Sequence, residues 1–225
     1  MASDSEKAPN HVRSLKLLVA CYVLIWGVMA ISPVSRVDWL IQNATPSVFL
    51  VALITSYKRF RFSTLSYLLI TLFMILHVIG SHYTYAQVPL GDWMKGAFGL
   101  NRNGFDRVVH FCFGLLMTYP LCEILLRVLR VNRALALTLS VSAGLGFSAV
   151  WEILESWLAQ VVSPGTGLNY LGAQGDVWDA QNDMAAALYG SLMSVILAIV
   201  GQYLWRRDRI QSGHDSSFEP SELST

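Results

Sequence analysis

The sequence predicts an all-α membrane protein, a bundle of about six transmembrane helices. Hydrophobic residues make up 54% of the 225-residue chain, charged residues only 14%, and the mean hydropathy is +0.46. A soluble domain carries about 25% charged residues, so most of this chain has to lie in lipid. The formal net charge of +1 argues against nucleic acid as a partner.

Six apolar runs are long enough to cross a bilayer, which takes about 20 residues of α-helix. They are residues 17–32, 39–57, 65–80, 105–126, 135–161 and 185–204. The second run is interrupted by Pro46, so a shorter helix capped by Thr45 is the alternative to a full span there. The first run follows three basic residues, as in a signal peptide. We expect an uncleaved helix, because five further spans follow it.

The segments between the runs predict one transmembrane domain, residues 1–210, with a polar, disordered cytoplasmic tail at residues 211–225. Residues 81–104 are rich in aromatic residues and glycine, and we expect a long functional loop there. Residues 163–175 form a second turn-rich loop before the last span.

Basic residues are distributed unequally between the two sides of this predicted bundle. One side receives twelve of the sixteen lysines and arginines, and the other receives Arg36, Lys95, Arg102 and Arg107. Cytoplasmic segments carry the excess of such residues. Both termini are therefore expected in the cytoplasm of a bacterial cell, with the four-residue side facing the periplasm.

Three carboxylates precede the last span, in the segment GAQGDVWDAQNDM of residues 172–184. Asp176, Asp179 and Asp183 are spaced by three and four, so a helix would place them on one face. Like charges beside hydrocarbon repel each other and require a cation, a proton or an arginine. Further polar residues fall at the same predicted level of the membrane: His77, His82, Tyr85, Arg102, Asp106, Arg107, His110, Glu152 and Glu155.

Carboxylates combined with imidazoles suit a divalent metal ion, Mg²⁺, Mn²⁺, Ca²⁺ or Zn²⁺, as the cofactor. The predicted metal ligands are His77, His110, Glu155, Asp176, Asp179 and Asp183. The predicted catalytic residues are Asp106, His110, Glu155 and Asp179, of which the first two are four apart and share a helix face. The predicted substrate-binding residues are Arg102, Arg107, His82 and Tyr85, with the arginines suited to a phosphate.

Such a site favours a metal-assisted hydrolase or transferase that acts on a lipid or lipid-linked substrate of the cell envelope. A small-solute or proton-coupled transporter is an alternative, with the carboxylates, His110 and Glu123 as a proton relay. A non-catalytic envelope protein, whose acidic rim binds Ca²⁺ or a partner, is a further alternative.

Three motifs carry a resemblance to a known family: HVIGSHYTYAQVPLG, NRNGFDRVVHFCFG and LGAQGDVWDAQNDM. They resemble the YjdF-type inner-membrane proteins, a bacterial family of unknown function, over roughly residues 14–205. The resemblance implies a multi-pass protein of the inner membrane. More distantly, Asp106 and His110 at the start of one helix, and Asp183 before Gly190 in the last, are similar to VanZ-like proteins, which are linked to glycopeptide resistance. Neither resemblance implies an established reaction.

Overall fold

The computed structural model describes residues 4–161 and 174–215, and the regular structure within these residues is α-helical. The helices are α1 (Asp4–Met29), α2 (Arg36–Ser56), α3 (Thr64–His82), α4 (Pro89–Phe98), α5 (Phe105–Arg127), α6 (Arg133–Val161) and α7 (Asp179–Asp215). All of them except α4 are long and apolar enough to cross a membrane. The predicted all-α membrane bundle is thereby confirmed.

Two predicted segments fall partly beyond these residues. Most of the turn-rich loop expected at residues 163–175 lies outside the described residues, which resume at Gln174. In the expected tail, α7 continues to Asp215, and residues 216–225 lie outside the described residues.

Helix α5 lies at the centre of the bundle. It packs against α3, α6 and α7, while α6 and α7 pack on each other and α1 and α2 pack on α3. Between α3 and α5 the core is formed by Ile70, Met74 and Met117. None of the described residues in the apolar span of α1 is buried, so this helix presents most of its surface to lipid.

Helices α5 and α7 approach each other closely through two glycines. A Cβ atom on Gly114 would overlap the carbonyl oxygen of Ala187, and one on Gly190 would overlap the carbonyl oxygen of Phe111. Small residues allow membrane helices to pack backbone against backbone. The first turns of α5 and α7, which carry most of the predicted site, are therefore held side by side at one end of the bundle, here called the site end.

Helix α2 begins at Arg36 and continues through Pro46. A proline has no N–H group, so the carbonyl of Gln42, one turn earlier, has no donor within the helix. His77 Nε2 lies 3.0 Å from that carbonyl oxygen and supplies the missing hydrogen bond. The alternative of a short helix that starts near Pro46 is wrong, because α3 satisfies the carbonyl group that the proline leaves free.

The segment predicted as a long loop, residues 81–104, contains a helix of its own. Pro89 is the first residue of α4, where the missing N–H has no consequence. Gly99 ends the helix in the left-handed region, at φ +64°. The expectation of an irregular loop is therefore wrong for these ten residues.

At the opposite end of the bundle, Glu123 of α5 caps the start of α3. Its carboxylate accepts hydrogen bonds from the backbone N–H of Ser63 at 2.8 Å, from the Ser63 hydroxyl at 2.9 Å and from the Ser66 hydroxyl. Arg127 also binds it. Glu123 therefore joins two helices, and its oxygens are occupied by these contacts.

Candidate functional site

Four ionisable side chains from three helices meet at the site end of the bundle. His110 Nε2 lies 3.2 Å from Glu152 Oε1 and 3.8 Å from Asp106 Oδ1. Asp106, His110 and Asp183 each offer one ligand atom, and these atoms lie within 4.8 Å of one another. We call Asp106, His110, Glu152 and Asp183 the carboxylate–histidine cluster.

The ring of His110 is oriented by a hydroxyl group on α6. Its Nδ1 lies 3.0 Å from Ser148 Oγ, and both residues are buried. If Nδ1–H donates to this oxygen, the Nε2 lone pair faces the carboxylates; if the hydroxyl donates to Nδ1, the ring proton is on Nε2. Metal-ligating histidines are commonly oriented by such a contact at the second nitrogen.

Two carboxylate oxygens of the cluster are buried and accept no hydrogen bond among the described residues. They are Asp183 Oδ1 and Glu152 Oε1, whose 3.2 Å approach to His110 Nε2 does not form one. Asp183 as a whole is only 1% exposed. Arg107 Nε lies 3.9 Å from Asp183 Oδ1, which is too far for a hydrogen bond. A buried carboxylate oxygen without a partner is unfavourable by about 1–3 kcal/mol or more, so both atoms favour a bound cation or proton.

Two arginine–aspartate pairs lie nearer the end of the bundle than the carboxylate–histidine cluster does. Arg102 hydrogen-bonds to Asp179, and Arg107 hydrogen-bonds to Asp176. Burial disfavours the charge of Arg102, but the bond to Asp179 and the neighbouring carboxylates outweigh it and raise its pKa. The pKa of Asp176 is lowered by the backbone N–H of Trp178 and by Arg107. These pairs fix the start of α7 to the start of α5.

Negative charge exceeds positive charge at this end of the bundle. Arg102 and Arg107 are the cations that contact the acidic residues there. Six carboxyl groups gather around them: Asp106, Glu152, Glu155, Asp176, Asp179 and Asp183. Since burying uncompensated charge is very unfavourable, the remaining carboxylates require protons or a bound cation.

The predicted metal ligands divide into four groups, of which His77 forms the last. His110 and Asp183 lie in the cluster together with Asp106, which was predicted as catalytic. The two aspartates that precede Asp183 are bound to arginines, so the substrate-binding role expected for those arginines would require these pairs to open. Glu155 accepts a hydrogen bond from Trp151 Nε1 at 2.8 Å and interacts electrostatically with the cluster.

His77, also expected to bind metal, has both ring nitrogens engaged. Its Nε2 donates to the carbonyl of Gln42, and its Nδ1 accepts from the hydroxyl of Tyr85 at 2.6 Å. His82, expected to bind substrate, lies with Nδ1 2.8 Å from the carbonyl oxygen of Met29, the last residue of α1. In this structure each of the two histidines therefore forms a hydrogen bond to a backbone carbonyl group, His77 before Pro46 of α2 and His82 at the end of α1.

Asn103 joins the segments around Arg102 and was not singled out from the sequence. Its backbone exchanges two hydrogen bonds with the side chain of Gln174, at 2.9 and 3.1 Å. Its Nδ2 donates to the carbonyl of Val88 and to Asp92 Oδ1. An asparagine beside a glycine is typical of any turn, so no sequence signal distinguishes this residue.

Ser148 was also missed as a site residue, and Glu152, although noted at the level of the site, was assigned no role. Together with Glu155 they recur at spacings of four and three on α6, which places them on one helix face. Glu152 has a closer contact to His110 than Asp106 has.

A cavity of about 440 Å³ reaches the cluster from the side of the bundle. It lies between α2 and α3 on one side and α6 on the other, with α5 as its floor. Its polar lining is concentrated near the cluster, where it includes His77, Tyr85, Asp106, His110 and Ser148. Towards the opposite end it is lined by the apolar residues Phe73, Met74, Phe113, Met117, Leu121 and Ile124.

Comparison with known proteins places the chain in a family. A family model described as "Predicted membrane protein (DUF2238)" matches residues 14–203. The inner membrane protein YjdF of Escherichia coli (strain K12) is 38% identical over 168 residues, which is 74% of this chain and 79% of the relative. No solved structure matches significantly. The resemblance to YjdF-type proteins is thus confirmed, and the chain belongs to the DUF2238 family of membrane proteins.

Proposed function

We propose that this protein binds a divalent metal ion in the carboxylate–histidine cluster and uses it to hydrolyse, or transfer a group on, a lipid or lipid-linked envelope substrate. The proposal rests on the approach of Asp106, His110 and Asp183, whose ligand atoms lie within 4.8 Å of one another. The unpartnered, buried Oδ1 atom of Asp183 supports it independently.

The geometry needs a modest closure to become that of an occupied metal site. In a tetrahedral site, ligand atoms about 2.1 Å from the metal are about 3.4 Å apart. Ligand atoms separated by as much as 4.8 Å would therefore have to approach one another by roughly 1.4 Å. One imidazole and two carboxylates suit Zn²⁺ or Mn²⁺. Three protein ligands leave a coordination position for water or substrate, and a metal-bound water is acidic enough to supply a nucleophile near neutral pH.

The residues around the metal ligands then have distinct roles. Ser148 orients the His110 ring through its contact to Nδ1, and by accepting a hydrogen bond from Nδ1–H it would leave Nε2 to bind metal. Glu152, whose free Oε1 faces the same space, accepts the proton of the attacking water. In this role it replaces Glu155, whose carboxylate is bound by a tryptophan. The arginine–aspartate pairs keep α7 in register with α5.

Location in the bacterial inner membrane, with the cluster towards the periplasm, completes the proposal. The E. coli relative is described as an inner membrane protein. The excess of basic residues, twelve against four, lies on the side opposite to the cluster. A substrate at the rim of the bilayer would meet the cluster at the level of its headgroup.

The transporter alternative loses support at Glu123. A proton relay needs titratable groups in both halves of the membrane, but Glu123 is bound by Ser63, Ser66 and Arg127 in a helix cap. No contact in the described residues links it to the cluster.

Metal analysis of the purified protein tests the proposal. We expect about one equivalent of metal after loading with Mn²⁺ or Zn²⁺ (one site by geometry), lost in Asp183→Asn and kept in Asp176→Asn. The second variant is a matched control, because it makes the same exchange seven residues away, outside the ligand set, and leaves the Arg102–Asp179 pair to hold the start of α7. Ser148→Ala should weaken metal binding by about 10–100-fold. Equal metal content in wild type and Asp183→Asn would refute the site.

Activity requires a separate measurement. The metal-loaded protein would be incubated with an inner-membrane lipid extract, and consumed and newly formed lipids would be identified by mass spectrometry. Glu152→Gln should retain metal and lose turnover. Metal binding without any lipid conversion would leave a metal-binding envelope protein and exclude the enzyme.

A further inference from the structure

We infer that one hydrocarbon chain of a membrane lipid occupies the cavity, which it enters between α2 and α6, with the headgroup of that lipid at the carboxylate–histidine cluster. The inference narrows the substrate class of the proposed function and depends on that function only for the reaction at the headgroup.

The cavity follows one face of α5 across most of the membrane. Its floor is a strip of α5 residues in which each residue has another three or four positions away: Asp106, Val109, His110, Phe113, Met117, Leu121 and Ile124. The nineteen residues from first to last span about 27 Å of helix. This is close to the hydrocarbon thickness of a bilayer, about 30 Å, so a chain bound along this face would lie parallel to its neighbours in the membrane.

The dimensions fit a single chain. A volume of about 440 Å³ spread over a length of about 27 Å gives a mean cross-sectional area of roughly 16 Å². This area is close to that of one extended hydrocarbon chain. A helix from a second copy or from another protein is about 10 Å across, several times larger in cross-section. The cavity therefore suits one lipid chain better than an added helix.

The cavity opens towards lipid. On the α6 side its lining includes Phe147 and Val150, which are 56% and 52% exposed, and on the α2 side the exposed Thr45. Helix α2 packs on α3, whereas α6 packs on α5 and α7, so the two rims of the opening belong to different parts of the bundle. In a membrane these exposed side chains face hydrocarbon, so a lipid chain can enter sideways without crossing water.

The distribution of polar groups orients this occupant. Asp106, His110 and Ser148 lie at the site end of the cavity, and aliphatic and aromatic side chains line the rest. Water would find few hydrogen-bond partners in that apolar part, since buried water requires about three. A molecule with one polar end and one long apolar end satisfies both regions at once.

Photochemical labelling tests the inference. The protein would be reconstituted into phosphatidylethanolamine and phosphatidylglycerol vesicles that contain a phospholipid with a diazirine near the end of one chain. We expect cross-links concentrated on the cavity face of α5 near Leu121 and Ile124. Leu121→Trp, which fills the cavity far from the cluster, should reduce these cross-links several-fold. Val150→Trp, at the exposed rim, should do the same without a change in the core.

A matched variant and a metal-ligand variant complete the test. Leu192→Trp places the same side chain on the exposed face of α7, outside the cavity, and should leave the α5 cross-links unchanged. Asp183→Asn should lose metal but keep them, so a failure of the metal site can be told from a failure of chain binding. Cross-links spread evenly over lipid-facing helices, or unchanged in both cavity variants, would overturn the inference.

Discussion

Replacing Gly190 with alanine separates α5 from α7 at the point where the backbones touch. The added Cβ would overlap the carbonyl oxygen of Phe111, and neither backbone can turn aside as a flexible side chain would. The two helices must move apart by about 1 Å to restore van der Waals contact. Asp183 lies two turns earlier on the same helix and would move away from Asp106 and His110.

The size of the effect follows from this overlap. Overpacking a well-packed core typically costs about 1–3 kcal/mol, and the better helix propensity of alanine, about 1 kcal/mol, offsets only part of it. A loss of about 1.4 kcal/mol at the metal site corresponds to a tenfold weaker affinity. We therefore expect Gly190→Ala to unfold at a lower temperature and to bind metal about tenfold less tightly.

Gly201→Ala is the matched control, because it makes the same exchange on α7 where a Cβ would meet nothing within 4 Å. Both variants would be purified in the same detergent and compared by thermal unfolding and metal titration. We expect the control to be neutral or slightly stabilised. Equal behaviour of Gly190→Ala and Gly201→Ala would refute the idea that close glycine packing assembles the site.

Two further predictions concern parts of the bundle outside the cluster. Glu123→Gln should lower the free energy of unfolding by about 1–3 kcal/mol, because charge-assisted hydrogen bonds to the start of α3 are lost. The metal content should stay at the wild-type level. A loss of metal would contradict the purely capping role of Glu123. Asp176→Asn tests pH dependence. The pKa of Asp176 is lowered below 3.8 in the folded protein. The contribution of the Asp176 carboxylate to stability is therefore complete above pH 3.8 and is lost as the pH falls through the pKa of the folded state. Thermal unfolding from neutral to acidic pH should therefore show a difference between wild type and Asp176→Asn that shrinks in acid, and a difference that grows in acid would reverse this sign.

The sequence predicts the local features of the site because they depend on spacing along one helix. Asp106 and His110 are four residues apart, and both lie in the cluster. The three aspartates before the last span were expected to need a cation, a proton or an arginine. In the structure Asp176 and Asp179 bind arginines, whereas Asp183 belongs to the carboxylate–histidine cluster.

Contacts between helices could not be predicted from the spacing of residues along the chain. His77 was expected to bind metal, but it serves the carbonyl that Pro46 leaves free on α2. Glu123 was considered for a relay, but it caps α3. In both cases at least one partner is a backbone group of a distant segment, and backbone groups have no residue identity that a sequence pattern can reveal.

The sequence by itself determined that this chain is a bundle of membrane helices, because apolar length and low charge decide what can lie in hydrocarbon. It also determined that acidic and imidazole groups collect at one level, because each span has a fixed length. Only the tertiary structure decided which of these groups face one another. That choice depends on the rotation and separation of packed helices, which Gly114 and Gly190 set through contacts to backbone atoms of the opposite helix.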